Sequence, residues 1–351
     1  MFEKNAKYFP IQTETACQRK WNWSTLWLTQ GHTASCHRVN HVSLPLDEFD
    51  NFHNLPKKLL EREQMLKGQW PGSGCEYCKD IEDIGGISDR IDYLQVPNLT
   101  PKELLTDPTA VQVTPLIVEV FASNVCNLMC TYCRGANSSK IANENVKFGI
   151  FEKNGISIKN DFEIHNQQKQ YFDKFCSWLE NNSHELKNLH ILGGEPLIQR
   201  ETNIILDILQ KNKNKNLEVQ LISNLMVSHS VLKDQVTKFY KLIANKNIKS
   251  IHITASIDCW GAEAEYARSG LDLKLWEENF KYLVSHKWIK LHINQTITSL
   301  TIKTMPDLLV KLNEYRKQRI ITQNFSLVIG ENNRNDHMHP TAFGEIGRAH
   351  V

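Results

Sequence analysis

Cys126, Cys130 and Cys133 share one short stretch, Cys126-Asn127-Leu128-Met129-Cys130-Thr131-Tyr132-Cys133, with the spacing C-x3-C-x2-C. Three thiolates this close can ligate three corners of a cubane iron–sulfur cluster and leave the fourth iron open to a substrate or cofactor. A second set is Cys17, Cys36, Cys75 and Cys78. Cys75 and Cys78 form a C-x2-C on the turn Gly72-Ser73-Gly74, whose glycines let the backbone curl so that both sulfurs face one ion. Four thiolates can close around zinc or around a second iron–sulfur cluster, and ligand type alone does not choose between them. In a blander alternative Cys17 and Cys36 are structural, and only Cys75 and Cys78 bind anything. Cys176 and Cys259 stand alone and read as small buried hydrophobes.

The elements that must position these residues follow an alternating pattern. Residues 115–122 are apolar and rich in Val and Ile, which predicts a buried strand; the cysteine loop comes directly after it. Strands follow at 186–192, 218–223, 249–257, 289–298 and 320–329. Between them the spacing predicts helices at 202–210, 231–244, 273–286 and 305–317, with another at 169–181 ahead of the second strand. Six strands alternating with helices mean parallel pairing with right-handed crossovers, closing as a full or partial barrel or staying open.

The polar clusters sit at strand ends: Gly193-Gly194-Glu195-Pro196, Ser223-Asn224, and Ser256 with Asp258. The C-terminal ends of parallel strands share one rim, so these groups and the cysteine loop are expected to converge there. Each alone has an ordinary reading. Gly-Gly can simply turn the chain, Asp258 can cap a helix, Ser223 and Asn224 can form turns, and Arg268 can be a solvated helix-end residue.

The first hundred residues do not repeat this unit. Trp21, Trp23 and Trp27 alternate along a predicted strand, Gly31 turns it, and residues 34–38 return as a hairpin. Residues 55–67 predict a helix with Pro56 at its first position and a stop at Gly68 and Pro71. Pro97, Pro101 and Pro108 mark a connector, which places a boundary near residue 108. Residues 134–168 are polar and predict loop with a short helix.

Composition excludes several classes. The chain of 351 residues is 41% hydrophobic and 23% charged, an ordinary globular balance. A net charge of +2, from 41 basic and 39 acidic residues, disfavours a nucleic-acid partner. No apolar run reaches membrane-spanning length, and the first residues lack the apolar core of a signal peptide, so a cytoplasmic protein without a membrane partner is expected. Nine cysteines, an odd number, argue for metal ligation over a disulfide framework in such a protein.

Taken together, residues 112–340 resemble a radical S-adenosylmethionine enzyme. The resemblance rests on the C-x3-C-x2-C loop with Tyr132 before its third cysteine, and on Gly193-Gly194-Glu195-Pro196 after the second strand. It implies a partial (β/α)6 parallel barrel over residues 109–344. Cys126, Cys130 and Cys133 would hold a [4Fe-4S] cluster whose open iron chelates S-adenosylmethionine. The backbone near Tyr132 would meet adenine, and Gly193, Gly194, Glu195 and Pro196 would receive the methionine amino group. Ser256 and Asp258 would bond the ribose, with Asn224 on the same rim and Arg268 pairing with the cofactor carboxylate. One electron, from a reducing partner such as flavodoxin or ferredoxin, would yield a 5′-deoxyadenosyl radical that takes hydrogen from a peptide or small-molecule substrate.

Residues 1–108 are similar to the twitch type of auxiliary-cluster domain, a shortened relative of the SPASM domain. The likeness lies in Cys17, Cys36, Gly68-Gln69-Trp70-Pro71, Cys75-Glu76-Tyr77-Cys78 and the segment Glu82 to Arg90. It moves the second site toward an auxiliary [4Fe-4S] cluster and away from zinc. A cluster ligated by all four cysteines would be closed, which suits electron transfer or a structural role.

Two other readings remain open at this stage. One is an iron–sulfur electron carrier or sensor; the other is a protein with structural zinc and a degenerate barrel. The ending Glu345-Ile346-Gly347-Arg348-Ala349-His350-Val351 reads like a sequencing adapter translated in frame, so native sequence is expected to end near Gly344, with its C-terminus missing.

Overall fold

The computed structural model describes residues 8–72, 74–148, 167–328 and 338–340. The expected tail at 345–351 lies outside them, as do Ser73 and most of the polar stretch that precedes residue 168. Two compact units divide the chain: one of Met1–Ala122, His165–His190 and Ile208–Leu217, the other of Ser123–Ile164, Ile191–Asp207 and Glu218–Val351. The expected boundary at 108 falls inside the first.

Short elements open the first unit: α1 (Gln18–Asn22), β1 (Trp23–Trp27), β2 (His32–Ala34) and β3 (Val42–Ser43). The predicted hairpin is present, with Thr25 opposite Ala34 and Trp27 opposite His32. Trp21, however, belongs to α1 and not to the strand. Helices α2 (Pro56–Leu66), α3 (Glu76–Asp83), α4 (Asp89–Leu94) and α5 (Lys102–Thr106) follow. Pro56 opens α2, where its missing N–H costs nothing. The hairpin is not a free-standing module: β1 pairs in parallel with β4 (Ile117–Ser123), Trp23 beside Ile117 and Trp27 beside Phe121. The apolar face of a later helix, α7 (Gln168–Asn182), buries Phe172, Phe175, Trp178 and Leu179.

In the second unit, the short strand β5 (Met129–Cys130) and helix α6 (Ser139–Phe148) follow the cysteine loop, before α7 (Gln168–Asn182) of the first unit. Then come β6 (Asn188–Gly193) and α8 (Arg200–Lys211), whose residues divide between the two units, and β7 (Glu218–Ser223), α9 (His229–Ala244) and β8 (Ser250–Ser256) of the second. The run ends with α10 (Ala262–Ala267), β9 (Arg268–Ser269), α11 (Leu273–Ser285), β10 (Ile289–Ile297), α12 (Met305–Arg316) and β11 (Ile321–Leu327). Helix starts follow their capping residues. Ser228 accepts the Val231 N–H at α9, and Asp272 accepts from Lys274 and Leu275 at α11. Leu232, Val236, Phe239 and Leu242 of α9 are buried along one stripe, as are Trp276, Phe280 and Leu283 of α11.

Strand order is β11-β10-β8-β7-β6-β4-β1-β2-β3, with β5 and β9 forming a separate pair. The register β7–β8–β10–β11 is parallel throughout, and β1–β2–β3 is antiparallel. The class is therefore mixed α/β with a large, mostly parallel sheet. The order ends on two different strands, so no closed barrel forms among the described residues. Along β7 alternate residues are buried, and Glu218 and Gln220 lie on the less buried face.

Candidate functional site

The three cysteines of the 126–133 loop are all half-buried. Four features hold the loop. Ser139, at the start of α6, bonds both ends of the Cys126 residue: its hydroxyl accepts the Cys126 N–H (3.1 Å) and lies 3.3 Å from the Cys126 carbonyl. The Ser138 hydroxyl donates to the Leu128 carbonyl at 2.7 Å. Asn124 ties the loop to Gly135 across a 3.0 Å bond. Finally, Cys130 pairs with Arg268 in the β5–β9 ladder, and the Thr131 N–H reaches the Ala267 carbonyl at 2.9 Å.

Donors point at two of the sulfurs. The Leu128 N–H lies 3.5 Å from Cys126 Sγ, and Asn224 Nδ2 lies 3.9 Å from it. Arg268 Nη1 lies 3.9 Å from Cys130 Sγ. Burial pushes all three thiols up, Cys133 to about 12. They are therefore protonated at neutral pH unless a positive partner takes the proton's place, and N–H donors aimed at sulfur suit a thiolate ligand.

The Gly-Gly-Glu-Pro segment meets this loop directly. The Gly194 N–H bonds the Ser123 carbonyl at 2.9 Å, and the Glu195 N–H bonds that of Val125 at 2.8 Å. A Cβ on Gly193 would stand 2.3 Å from the Ser123 oxygen, and one on Gly194 would stand 2.2 Å from the Val125 oxygen. The glycines thus permit close approach to the chain's own backbone at the root of the cysteine loop, a role not anticipated from sequence. The buried Glu195 carboxylate is spoken for: it accepts from the Ser223 hydroxyl (2.7 Å), the Asn224 N–H (2.6 Å) and the Leu197 N–H (3.0 Å). Burial raises it to about 7 against the pull of those three donors. Pro196 opens a short 3-10 turn and is buried.

Asn224 bridges outward. Its Oδ1 accepts the Met226 N–H, and its Nδ2 donates to Asn127 Oδ1 at 3.0 Å. Ser256 ends β8 beside Asn294 in the register with β10. Asp258 is fully buried, and both its oxygens are taken. Oδ1 accepts from Arg268 Nη2 (2.8 Å) and the Thr296 N–H (3.0 Å); Oδ2 accepts from Arg268 Nε (2.9 Å) and the Tyr132 hydroxyl (2.6 Å). Asp258 and Arg268, expected to serve a ribose and a ligand carboxylate, grip each other in this structure. Ten residues separate them, and α10 lies between. Sequence reasoning missed Asn127, Ser139, Gln199, Gln295 and Thr296. Gln199 Nε2 bonds the carbonyls of Ser123 and Val125, and Gln295 Nε2 bonds that of Asp258. Only the Ser138-Ser139 pair carried a signal, since serines before a periodic helix mark its start.

In the first unit, Cys17, Cys36 and Cys75 are buried in one apolar cluster with Trp21 and Trp27, and Cys78 is partly exposed on the first turn of α3. Gly74 makes this approach workable: its φ is +98°, and a Cβ there would stand 2.4 Å from the Arg38 oxygen, so the knuckle lies against the segment that follows Cys36. The surroundings are cationic. Lys20, buried and bonded to Glu61 at 2.5 Å, bears electrostatically on Cys17 and Cys75, and Arg19 and Arg90 bear on Cys17. Arg90 is held by Glu82 and donates to the Ala16 carbonyl, while its own N–H and the Ser88 hydroxyl serve Cys78. Burial nonetheless lifts Cys17 to about 11 and Cys75 to about 12. Of the two lone cysteines, Cys259 is buried and Cys176 is partly exposed.

Among the described residues no three Cys, His, Asp or Glu side chains crowd closely enough to hold one ion. No helix of the described residues is long and apolar enough to cross a membrane.

No family model and no curated protein matches the chain. Among solved structures it is similar to native anSMEcpe with bound AdoMet: 18% identity, 66% of this chain, 58% of that one, TM-score 0.43. A tagged form of the same protein with AdoMet gives 18%, 66%, 55% and 0.42. Native anSMEcpe with AdoMet and a peptide gives 19%, 66%, 57% and 0.40. The chain thus spans somewhat over half the length of those proteins.

Proposed function

We propose that the chain is a radical S-adenosylmethionine enzyme, and one observation carries the reading. Three half-buried cysteines on a single strand-end loop have N–H donors aimed at two of their sulfurs, and the Gly193-Gly194 backbone lies against the root of that loop. Cys126, Cys130 and Cys133 would hold a [4Fe-4S] cluster with one iron open to the cofactor. When bound and reduced, such a cluster would supply the one electron that divides S-adenosylmethionine into methionine and a 5′-deoxyadenosyl radical able to take hydrogen from substrate.

The chain's own residues bind and orient. Backbone carbonyls at Gly193–Pro196 are the acceptors for the methionine ammonium, Ser256 is the candidate for a ribose hydroxyl, and the backbone at Tyr132 is the candidate for adenine. The Glu195 carboxylate fixes the ends of β6 and β7, and Asn224 bears on Cys126. Asp258 positions Tyr132 and Arg268. Cys17, Cys36, Cys75 and Cys78 would hold a second, closed cluster of electron-transfer or structural type. The substrate would be a peptide or small molecule, with a reducing protein such as flavodoxin or ferredoxin as partner.

Anaerobic reconstitution tests this. The expected result is roughly eight iron and eight sulfide per chain, with 5′-deoxyadenosine formed after reduction in the presence of S-adenosylmethionine. Two clusters without 5′-deoxyadenosine would mean an electron carrier or sensor. Zinc at the four-cysteine site, with no iron at Cys126–Cys133, would sink the iron reading.

A further inference from the structure

Arg268 stands out among the rim residues because its three nitrogens are committed to two partners. Nε and Nη2 make a bidentate pair with Asp258, while Nη1 points to Cys130 Sγ at 3.9 Å. Backbone register fixes this aim, since Cys130 and Arg268 are partners in the β5–β9 ladder. Asp258 is in turn immobilised by the Tyr132 hydroxyl, the Thr296 N–H and, through its carbonyl, Gln295. Both side chains of the pair are nearly inaccessible, at 7% and 0% exposed. The guanidinium has no fork left to grip a ligand carboxylate.

We propose that Arg268 is a positioning residue for the Cys130 corner of the cluster. Tethered by Asp258, it hydrogen-bonds the Cys130 thiolate and raises the cluster's reduction potential, while leaving the cofactor carboxylate to other groups. This rests on the cluster reading above. Reduction adds negative charge at the cluster, and hydrogen bonds to ligating sulfur stabilise the reduced form. The Asp258 charge offsets that of the guanidinium at long range. What Cys130 meets is the near, N–H-bearing end of the pair, so the sign of the effect is set locally. An arginine suits the position and a lysine does not, because one planar group must serve a carboxylate and a sulfur at once.

The test is an EPR-monitored redox titration of reconstituted protein without S-adenosylmethionine, on the unaltered chain, Arg268→Met and Arg268→Lys, each checked for iron content. The expected midpoint is more negative in Arg268→Met, with partial recovery in Arg268→Lys. An unchanged midpoint, with a tenfold or greater loss of S-adenosylmethionine affinity, would contradict the proposal and return Arg268 to the carboxylate. Should the buried substitutions prevent folding, the second measurement uses Arg134→Lys protein labelled with 15N-arginine in which Cys17, Cys36, Cys75 and Cys78 are replaced by alanine, so that Arg19 and Arg90 face no cluster. Pulsed EPR of its reduced cluster should show coupling to an arginine nitrogen, and absence of coupling rejects the proposal. Failure of the unaltered protein to take up iron would instead overturn the cluster reading, and this proposal with it.

Discussion

At the scale of single residues, the rim is built from polar groups that satisfy one another. Asp258 accepts four bonds in a fully buried position, and Arg268 depends on it. Removing one partner of a buried ion pair leaves an uncompensated charge, which costs about 3–5 kcal/mol. Asp258→Ala should therefore lower unfolding free energy by about that much, whereas Tyr132→Phe, which removes one hydroxyl donor, should cost only ~1 kcal/mol. Denaturant melts measure both, and equal effects would mean that Tyr132 and not Arg268 anchors the carboxylate. The sequence singled out Asp258, Arg268 and Tyr132, but its plain reading of Arg268 as a solvated helix-end residue differs from the buried position the side chain takes at the start of β9. It could not show that they face each other, because the contact depends on how α10 folds back to bring β9 against β5.

At the scale of elements, strands and helices of the alternating run were legible because their apolar periodicity is strong. The spans of β7, α9, α11 and β10 agree with the sequence pattern to within two residues at each end. The N-terminal segment was less legible. Nothing in the hairpin announces that β1 will pair in parallel with β4, since an edge-to-edge choice is made by the whole sheet. The two glycines that flank this segment's turns separate steric need from backbone preference. Gly68 has φ +71° and open space around it; Gly74 has φ +98° and the Arg38 carbonyl against it. Gly68→Ala should cost about 1–2 kcal/mol, the ordinary left-handed penalty. Gly74→Ala should cost clearly more and should reduce iron retained at the four-cysteine site, which metal analysis after desalting would read. Equal losses would mean that the knuckle does not need its approach to Arg38.

A second element-scale device is Glu218, at the start of β7. Burial alone would raise its carboxyl. Hydrogen bonds from Lys249 and Lys290, and the charges of Lys290 and His252, overcome that and hold it at about 2. A depressed folded-state value contributes stability that is complete above the unfolded pKa and is lost as pH falls through the folded one. Glu218→Gln should thus be less stable than the unaltered chain near pH 7 by about 1–2 kcal/mol, allowing for partial screening. The gap should narrow as pH falls below roughly 4.3, the unperturbed carboxyl value. A gap that stays constant from pH 7 to 3 would show that the three cations contribute nothing specific to this strand junction.

At the scale of the molecule, each compact unit contains one of the two cysteine sets. The loop at Cys126–Cys133 belongs to the second unit, and Cys17, Cys36, Cys75 and Cys78 belong to the first. The sites should therefore load independently: replacing all four cysteines of the first unit with alanine should leave about four iron per chain, and Cys126→Ala should remove mainly the other four. The most direct measurement of the central proposal is 5′-deoxyadenosine produced from S-adenosylmethionine by the reduced, reconstituted protein, with Cys126→Ala, Cys130→Ala and Cys133→Ala alongside. The predicted result is product from the unaltered chain and none from the three variants. Product absent from an unaltered chain that holds a full complement of iron, or undiminished in the variants, would contradict it.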